Sequence, residues 1–474
     1  MVKNNQKKNF FASTRQLNHI YKLLASASKI NLEKRLGKKL DFIIIKKKLP
    51  SLKFFFFYLY VILSGKIFSN SKLILIKYRD CNLGRYVLPT VTRKIEETGS
   101  SLLVEFFLRF KYFFLGGAVV DTGFYLSKKI YGAYVDHGVY LNGLYIEVFL
   151  KNNLRIYSNN PPKGLFTAKK NKKNQKNFAY ENLIKLKDKN LNSKQRQKVK
   201  KIIHKKLTDP KFIPWMKIVK FKRIKEKVKF NEFDYIIYAH AFTDAQLCFG
   251  YDGYANVNDW LIDTLRILAN LNKKVIVKPH PNFYDYLVLK LDNKSREKNI
   301  SYRDHQKYLE IKKLFFSENI HFLDAPYSNI EFLKKLNKKK HVIISLHSSA
   351  ILECCHFGFK SIISKAGFWD EKISVANSWG NRDEYKELLS KKFKNLKYPV
   401  KNNVIKIFHE LYFNHFGLYG AGNYVKIICK FLNIKELPKY EKSFKELNNR
   451  MLNSEKQTIK TIYEISKNIE EVRL

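Results

Sequence analysis

Short apolar runs flanked by charge recur along this chain and alternate with longer stretches of helical spacing. The clearest lie in the second half: FDYIIY at 233–238, KVIVK at 274–278, HVIIS at 341–345 and SIIS at 361–364. They are continuous and β-branched rather than alternating, as strands covered on both faces require. Helical spacing fills the intervals at 260–271, 305–316 and 328–336. Strands alternating with helices predict a parallel sheet. The first half is less regular. Its pattern predicts a strand at 73–76, a Gly84-containing loop and a helix through Lys94. A helix at 102–114, a loop at Gly116 and Gly117, and a strand end at 118–121 come next. The sequence then turns at Asp136-His137-Gly138, resumes as helix from Tyr145, and forms a strand at 154–157.

These elements predict five segments. A basic helical extension without a core of its own covers 1–70, and a first α/β domain covers 71–162. The Lys- and Asn-rich stretch 163–230 reads as a solvated connection. A second α/β domain covers 231–440, and a charged, amphipathic helical tail covers 441–474. At 474 residues the chain is long enough for two or three cores.

Two of the strands run into loops suited to an anion. KVIVK continues into Pro279-His280-Pro281, where two prolines stiffen the backbone and would aim Lys278 and His280 at one point. HVIIS continues into Leu346-His347-Ser348-Ser349, with Glu353 one helical turn beyond Ser349. Ligands of open α/β sheets sit beyond the carboxyl ends of the strands. One phosphate-bearing ligand would therefore satisfy both loops. Each element also has a plainer reading: His280 in a tight turn, and Ser348 or Ser349 as an ordinary helix cap.

Lys-Pro-His-Pro after a strand and Ser-Ser-Ala-x-x-Glu before a glycine and another strand resemble the capsule polysaccharide biosynthesis proteins. So does the upstream block of His240, Asp244-Ala245, Trp260-Leu261 and Thr264-Leu265. Those proteins are bacterial glycosyltransferases, some acting on CMP-linked Kdo or sialic acid. The three blocks span about 235–370; the first half matches only through Asp136-His137-Gly138, Tyr140 and Gly143. The resemblance implies an α/β fold of GT-B type. Two Rossmann-like parallel-sheet domains would face a cleft, with extra N-terminal and C-terminal helices. It implies a nucleotide-sugar donor, with His280 on its phosphate and Glu353 on its ribose, and a glycan or lipid-linked glycan acceptor. The general base would come from the first domain, where Asp136 and His137 fit best; Asp121 and Asp244 compete, and His240 is a further cleft candidate. With no GxGxxG, Walker or DxD motif, the expectation is a metal-independent transferase without cofactor. A teichoic-acid-type polyol-phosphate transferase and a nucleotide-sugar epimerase are enzyme alternatives. A basic nucleic-acid- or membrane-binding protein without catalysis is the alternative of another class.

Charge sharpens the last point. Lys and Arg number 90 against 41 Asp and Glu, a formal net charge of +49. Lys greatly outnumbers Arg, which argues against a nucleic-acid partner, since the Arg fork is what reads phosphate and guanine bidentately. An anionic membrane surface or acidic glycans fit better. The run FFFFYLYVIL at 54–63 is too short for the ~20 residues a spanning helix needs. It is either a buried helix or an interfacial one, with Lys46, Lys47, Lys48 and Lys53 close by. The five cysteines form neither a disulfide framework nor a CxxC site, and adjacent Cys354 and Cys355 read as buried packing. No signal peptide is visible. The expected location is cytoplasmic, peripheral to the inner membrane.

Overall fold

The computed structural model describes residues 9–13, 29, 33, 40–47, 50–98, 101–136, 138–159, 165–168, 190–208, 228–248, 250–288, 296–325, 327–346, 348, 350–365, 375–409 and 470–473. The fold is mixed α/β, with two six-stranded, predominantly parallel sheets. Two compact units divide the chain. One comprises Met1–Val87, Phe110–Glu181 and Phe413–Leu474; the other comprises Leu88–Arg109 and Asn182–Tyr412.

The sheet of the first unit holds β1 (Asn9–Ser13), β2 (Asp41–Lys47), β3 (Ile130–Asp136), β4 (Arg155–Asn159) and β5 (Leu165–Ala168). β1 lies between β2 and β3, and all three are parallel. β5 closes one edge antiparallel to β4, and a C-terminal strand, Glu470–Arg473, pairs parallel to β2 at the other. Two strands thus lie where a basic helical extension was expected. In both, apolar residues that favour a pleated surface (NFFAS and DFIIIKK) outweigh the flanking lysines.

The helices from Leu52 to Ser127, of which the segment Leu88–Arg109 belongs to the second unit, correct two further expectations. Helix α1 (Leu52–Leu63) is followed by a single turn, α2 (Asn70–Leu73), and then by α3 (Leu83–Thr98). Residues 73–76 are therefore the end of a turn rather than a strand, although Leu73, Ile74 and Ile76 are buried as strand residues would be. Gly84 lies in the first turn of α3, against the Leu73 carbonyl, and not in a ligand loop. Next, α4 (Leu102–Ser127) runs unbroken through Gly116 and Gly117, and α5 (Leu141–Lys151) follows β3. A Cβ on Gly117 would come within 2.0–2.3 Å of Phe54 ring atoms, and one on Gly116 within 2.6 Å of Leu83. The glycines admit neighbouring side chains to the helix surface; they do not turn the chain.

Asp121, a candidate base by sequence, is an anchor on α4. Its carboxylate accepts from the Ser51 N–H at 2.8 Å and the Tyr78 hydroxyl at 3.0 Å, and pairs with Arg79 Nε at 3.0 Å. Ser51 in turn caps α1. Those contacts occupy the carboxylate with structure. Among the described residues no helix is long and apolar enough to cross a membrane.

The second unit is built on six parallel strands: β6 (Tyr235–Tyr238), β7 (Val275–Lys278), β8 (Ile320–Phe322), β9 (Val342–Ser345), β10 (Lys360–Ser364) and β11 (Asn377–Trp379). Their order is β8-β7-β6-β9-β10-β11. Numbered within the unit this is 3-2-1-4-5-6, the order of doubly wound dinucleotide-binding sheets. It reverses between β6 and β9, where such sheets open a crevice at their carboxyl ends. One face packs on α6 (Val257–Asn270) through Trp260, Leu261, Leu265 and Leu268. Trp379 stacks on Tyr385 at 4.1 Å in the same core. The strand β11 is followed by a helix at Arg382–Ser390.

Candidate functional site

The loops that matter leave β6, β7 and β9 on the carboxyl side of the second sheet. The first two are stitched together by the Ala239 N–H, which donates to the Lys278 carbonyl at 2.9 Å. That bond brings His240 beside His280, with ring centroids 5.8 Å apart. Next to them Phe242 stacks on Phe283 at 5.2 Å, the ring planes nearly parallel at 4°. Asp244 turns its carboxylate toward His240, 3.9 Å from Nε2. The sequence pattern therefore groups His240, Asp244 and His280 into one cluster, of which Asp244 is the most open, its side chain 54% exposed.

The protonation states follow from neighbours. The Asn282 N–H donates to His280 Nδ1 at 3.2 Å, so a neutral ring carries its proton on Nε2. Burial, reinforced by His240 and Lys278 and only partly offset by Asp244, pushes His280 down to about 3. His280 is accordingly a neutral donor at physiological pH. Partial desolvation among its neighbours pushes the Asp244 carboxyl up, but His240, the Ala245 N–H, His280 and Arg93 together outweigh it, so it lies below its ordinary value. A neutral N–H and an ionised carboxylate thus stand side by side.

Lys278 does not share this point. Its ammonium lies 5.1 Å from the Tyr238 ring centroid and 5.8 Å from that of Phe332, stabilised there by cation–π contacts. The prolines stiffen the loop, yet the last residue of β7 projects onto the sheet face that Tyr238 occupies. Burial pushes Lys278 down to about 8, against the opposing pull of Cys354 and Glu353. Near it runs a hydrogen-bonded chain invisible in the sequence. The Tyr238 hydroxyl donates to Asn329 Oδ1 at 2.6 Å, and Asn329 Nδ2 donates to Glu353 Oε2 at 2.6 Å. Asn329 opens α8 (Asn329–Lys335), the short helix that follows α7 (Arg296–Leu314) and β8. Nothing in the local sequence marks it, because its importance lies in a contact with Glu353, 24 positions away.

Ser348 acts as a cap: its Oγ accepts from the Ala350 N–H at 3.1 Å at the start of α9 (Ala350–His356). The hydroxyl proton is still available to a ligand. Ser349 and His347 lie outside the described residues, as does His137. Asp136 closes β3, but its side chain is likewise outside them. Just beyond, Tyr140 adopts φ 53°, a left-handed conformation costly for a non-glycine and tolerated where packing over-determines the backbone. Cys354 and Cys355 are buried free thiols, Cys355 pushed up to about 12 by burial. They pack the sheet.

Behind the His240 loop is a fully buried carboxyl that the sequence did not single out. Thr243 Oγ1 donates to Asp304 Oδ2 at 3.2 Å, while Asp304 Oδ1 has no hydrogen-bond partner among the described residues. Burial pushes Asp304 up to about 7; Glu96 adds to the rise, and Lys307, Thr243 and Arg93 oppose it. The folded carboxyl keeps its proton to about pH 7, whereas the unfolded one loses it near 3.8. Between those values the folded state binds more protons, so stability falls as pH rises. Asp304→Asn should flatten that slope in thermal melts from pH 4 to 8 and raise stability at pH 8 by on the order of a few kcal/mol. An unchanged slope would contradict the assignment.

No family model and no curated protein matches the chain. Among solved structures, Thermosulfurimonas dismutans KpsC, described as a beta Kdo 2,4 transferase, is similar with a TM-score of 0.36 and 10% identity. The match covers 60% of this chain and 80% of that one. A likeness so slight has no bearing on the chemistry.

Proposed function

We propose that this protein is a glycosyltransferase of GT-B type that takes its sugar from a nucleotide donor, with the nucleotide held by the second unit. The observation that carries the reading is the coincidence of two independent features. The strand order reverses between β6 and β9, which in sheets of this kind favours a ligand crevice, and the polar groups collected at the carboxyl ends of those strands and of β7 suit a nucleotide diphosphate or monophosphate ester. His280 Nε2–H and the Ser348 hydroxyl are donors for phosphate oxygens. Lys278 adds positive charge from below. Glu353, held by Asn329, is an acceptor for ribose hydroxyls.

In this reading the leaving phosphate is stabilised by fixed donors, which act most strongly where water is excluded. Asp244, ionised beside His240, is a proton acceptor on the nucleotide side. Asp136 and His137 remain the proposed base from the first unit. A CMP-linked acidic sugar is the proposed donor and a surface glycan or its lipid carrier the proposed acceptor, both on the strength of the motif resemblance alone. A metal-independent reaction belongs to the same proposal.

Thermal-shift titration with CMP, UDP, GDP and CDP tests the core of it. One nucleotide should raise the melting temperature in a saturable way, since a ligand bound only by the native state stabilises it by RT ln(1 + [L]/Kd). Asn329→Ala should weaken that nucleotide by roughly fivefold to tenfold, because Glu353 loses the bond that orients it. Tyr238→Phe should do less. No shift with any nucleotide would remove the basis for a donor site here.

A further inference from the structure

We infer that the first unit docks on an anionic lipid surface through the outer face of α1. This stands apart from the nucleotide reading and holds or falls without it. Helix α1 is apolar on both sides. Phe54 and Val61 point into the unit and are buried, Phe54 against Tyr78 at 4.9 Å and Phe113 at 6.0 Å. The residues that should then be polar are not. Leu52, Phe55, Phe56, Leu59, Tyr60 and Leu63 fall at helical spacing on the opposite side and are 38–86% exposed.

A contiguous exposed patch of this kind marks an interaction site, and its surroundings say what covers it. From Phe42 to Arg79 the sequence carries seven Lys and one Arg, and no Asp or Glu. Lys53, within the helix itself, and Lys72 and Lys77, shortly after it in sequence, are exposed. Lys66 donates to the Tyr60 hydroxyl at 2.8 Å and lies 4.6 Å from its ring centroid, a cation set against an aromatic at the patch edge. A second copy of this chain would bring the same cations face to face in a two-fold contact, which repels. A bilayer containing anionic headgroups offers apolar depth for Phe and Leu and opposite charge for the lysines at once. With only 12 residues, α1 can lie in that interface but not cross it.

Flotation of the full-length protein with vesicles tests the inference. Vesicles of phosphatidylcholine mixed with phosphatidylglycerol should carry the protein up at low salt, and high salt should weaken the binding through screening. Phosphatidylcholine alone should bind roughly tenfold more weakly. Phe56→Glu with Leu63→Glu should reduce binding by about tenfold or more, because each places charge in the apolar boundary. Both positions are exposed, so circular dichroism and the melting temperature should be unchanged. A Phe56→Trp reporter should shift its emission to the blue on anionic vesicles only. Absence of binding by the parent protein, binding that survives the double substitution, or a dimer that the substitution splits into monomers would each overturn it.

Discussion

Replacing His280 with Ala should abolish most of the nucleotide-dependent rise in thermal stability while leaving the free protein folded. His280 is on a loop: its ring lies beside those of His240 and Phe283, and it accepts the Asn282 N–H at the head of one 3-10 turn, Pro281–Tyr284. Losing that cap costs about 1 kcal/mol or less. Losing a donor to a charged phosphate costs about 1.5–3 kcal/mol, roughly a tenfold to 150-fold rise in Kd. A nucleotide present at about 100 Kd stabilises by about 2.7 kcal/mol; a hundredfold weaker one would give only about 0.4. His280→Asn, whose amide can both accept from Asn282 and donate outward, should recover part of the affinity. The pH profile carries a second signature. Because burial holds His280 down to about 3, its donation should not change between pH 5 and 7. Lys278, held down to about 8 by burial, loses its charge above that point, so affinity should decline there. Lys278→Met should be weaker throughout and flat across that range. Full nucleotide stabilisation in His280→Ala, or affinity that tracks a group titrating near 6.5, would sink the assignment of this loop.

Gly117→Ala should be among the most destabilising single changes in the first unit. The new methyl would meet three Phe54 ring atoms at 2.0–2.3 Å, and that ring is fully buried among Tyr78, Tyr58 and Phe113. Overpacking of this kind costs about 1–3 kcal/mol, and more where the neighbour has nowhere to go. Phe54→Ala alone should cost about 3–5 kcal/mol as a cavity. The pair should cost less than the sum by about 1–3 kcal/mol, since each removes the other's clash or void. Strict additivity in thermal or urea unfolding would show that the two residues are not in contact. Gly84→Ala should fare worse and have no such rescue. Its Cβ would lie 1.7 Å from the Leu73 carbonyl oxygen, and backbone cannot be exchanged for something smaller.

The second unit was legible because its signals are local. A buried parallel strand such as VIVK or VIIS declares itself in four residues, and the Pro-His-Pro and Ser-Ser loops follow those strands directly. The first unit was not, and the reasons are particular. Gly116 and Gly117 look like a turn until Leu83 and Phe54, distant in sequence, are found filling the space beside them. Leu73, Ile74 and Ile76 have the composition of a strand but the backbone of a helical turn, and burial alone does not separate the two. In the site, the placement of His280 beside His240 follows from the pairing of β6 with β7. The separation of Lys278 from it, and the Tyr238–Asn329–Glu353 chain, depend on which face each side chain takes, and single-sequence spacing leaves that open at a strand end.

The outer edge of β2 has a history during synthesis. Its partner, Glu470–Arg473, pairs with Ile43–Lys47 and is made only after the whole sequence of the second unit. At about 5–20 residues per second, a ribosome needs roughly 20–90 s to make the intervening chain. Throughout that interval the Ile43, Ile44 and Ile45 backbone presents an open strand edge, the template on which chains mispair. The second unit, whose strands all come from one continuous stretch, has no such wait. Slower elongation should therefore burden the first sheet far more than the second, and yield in a cell should depend on whatever shelters that edge until its last strand arrives.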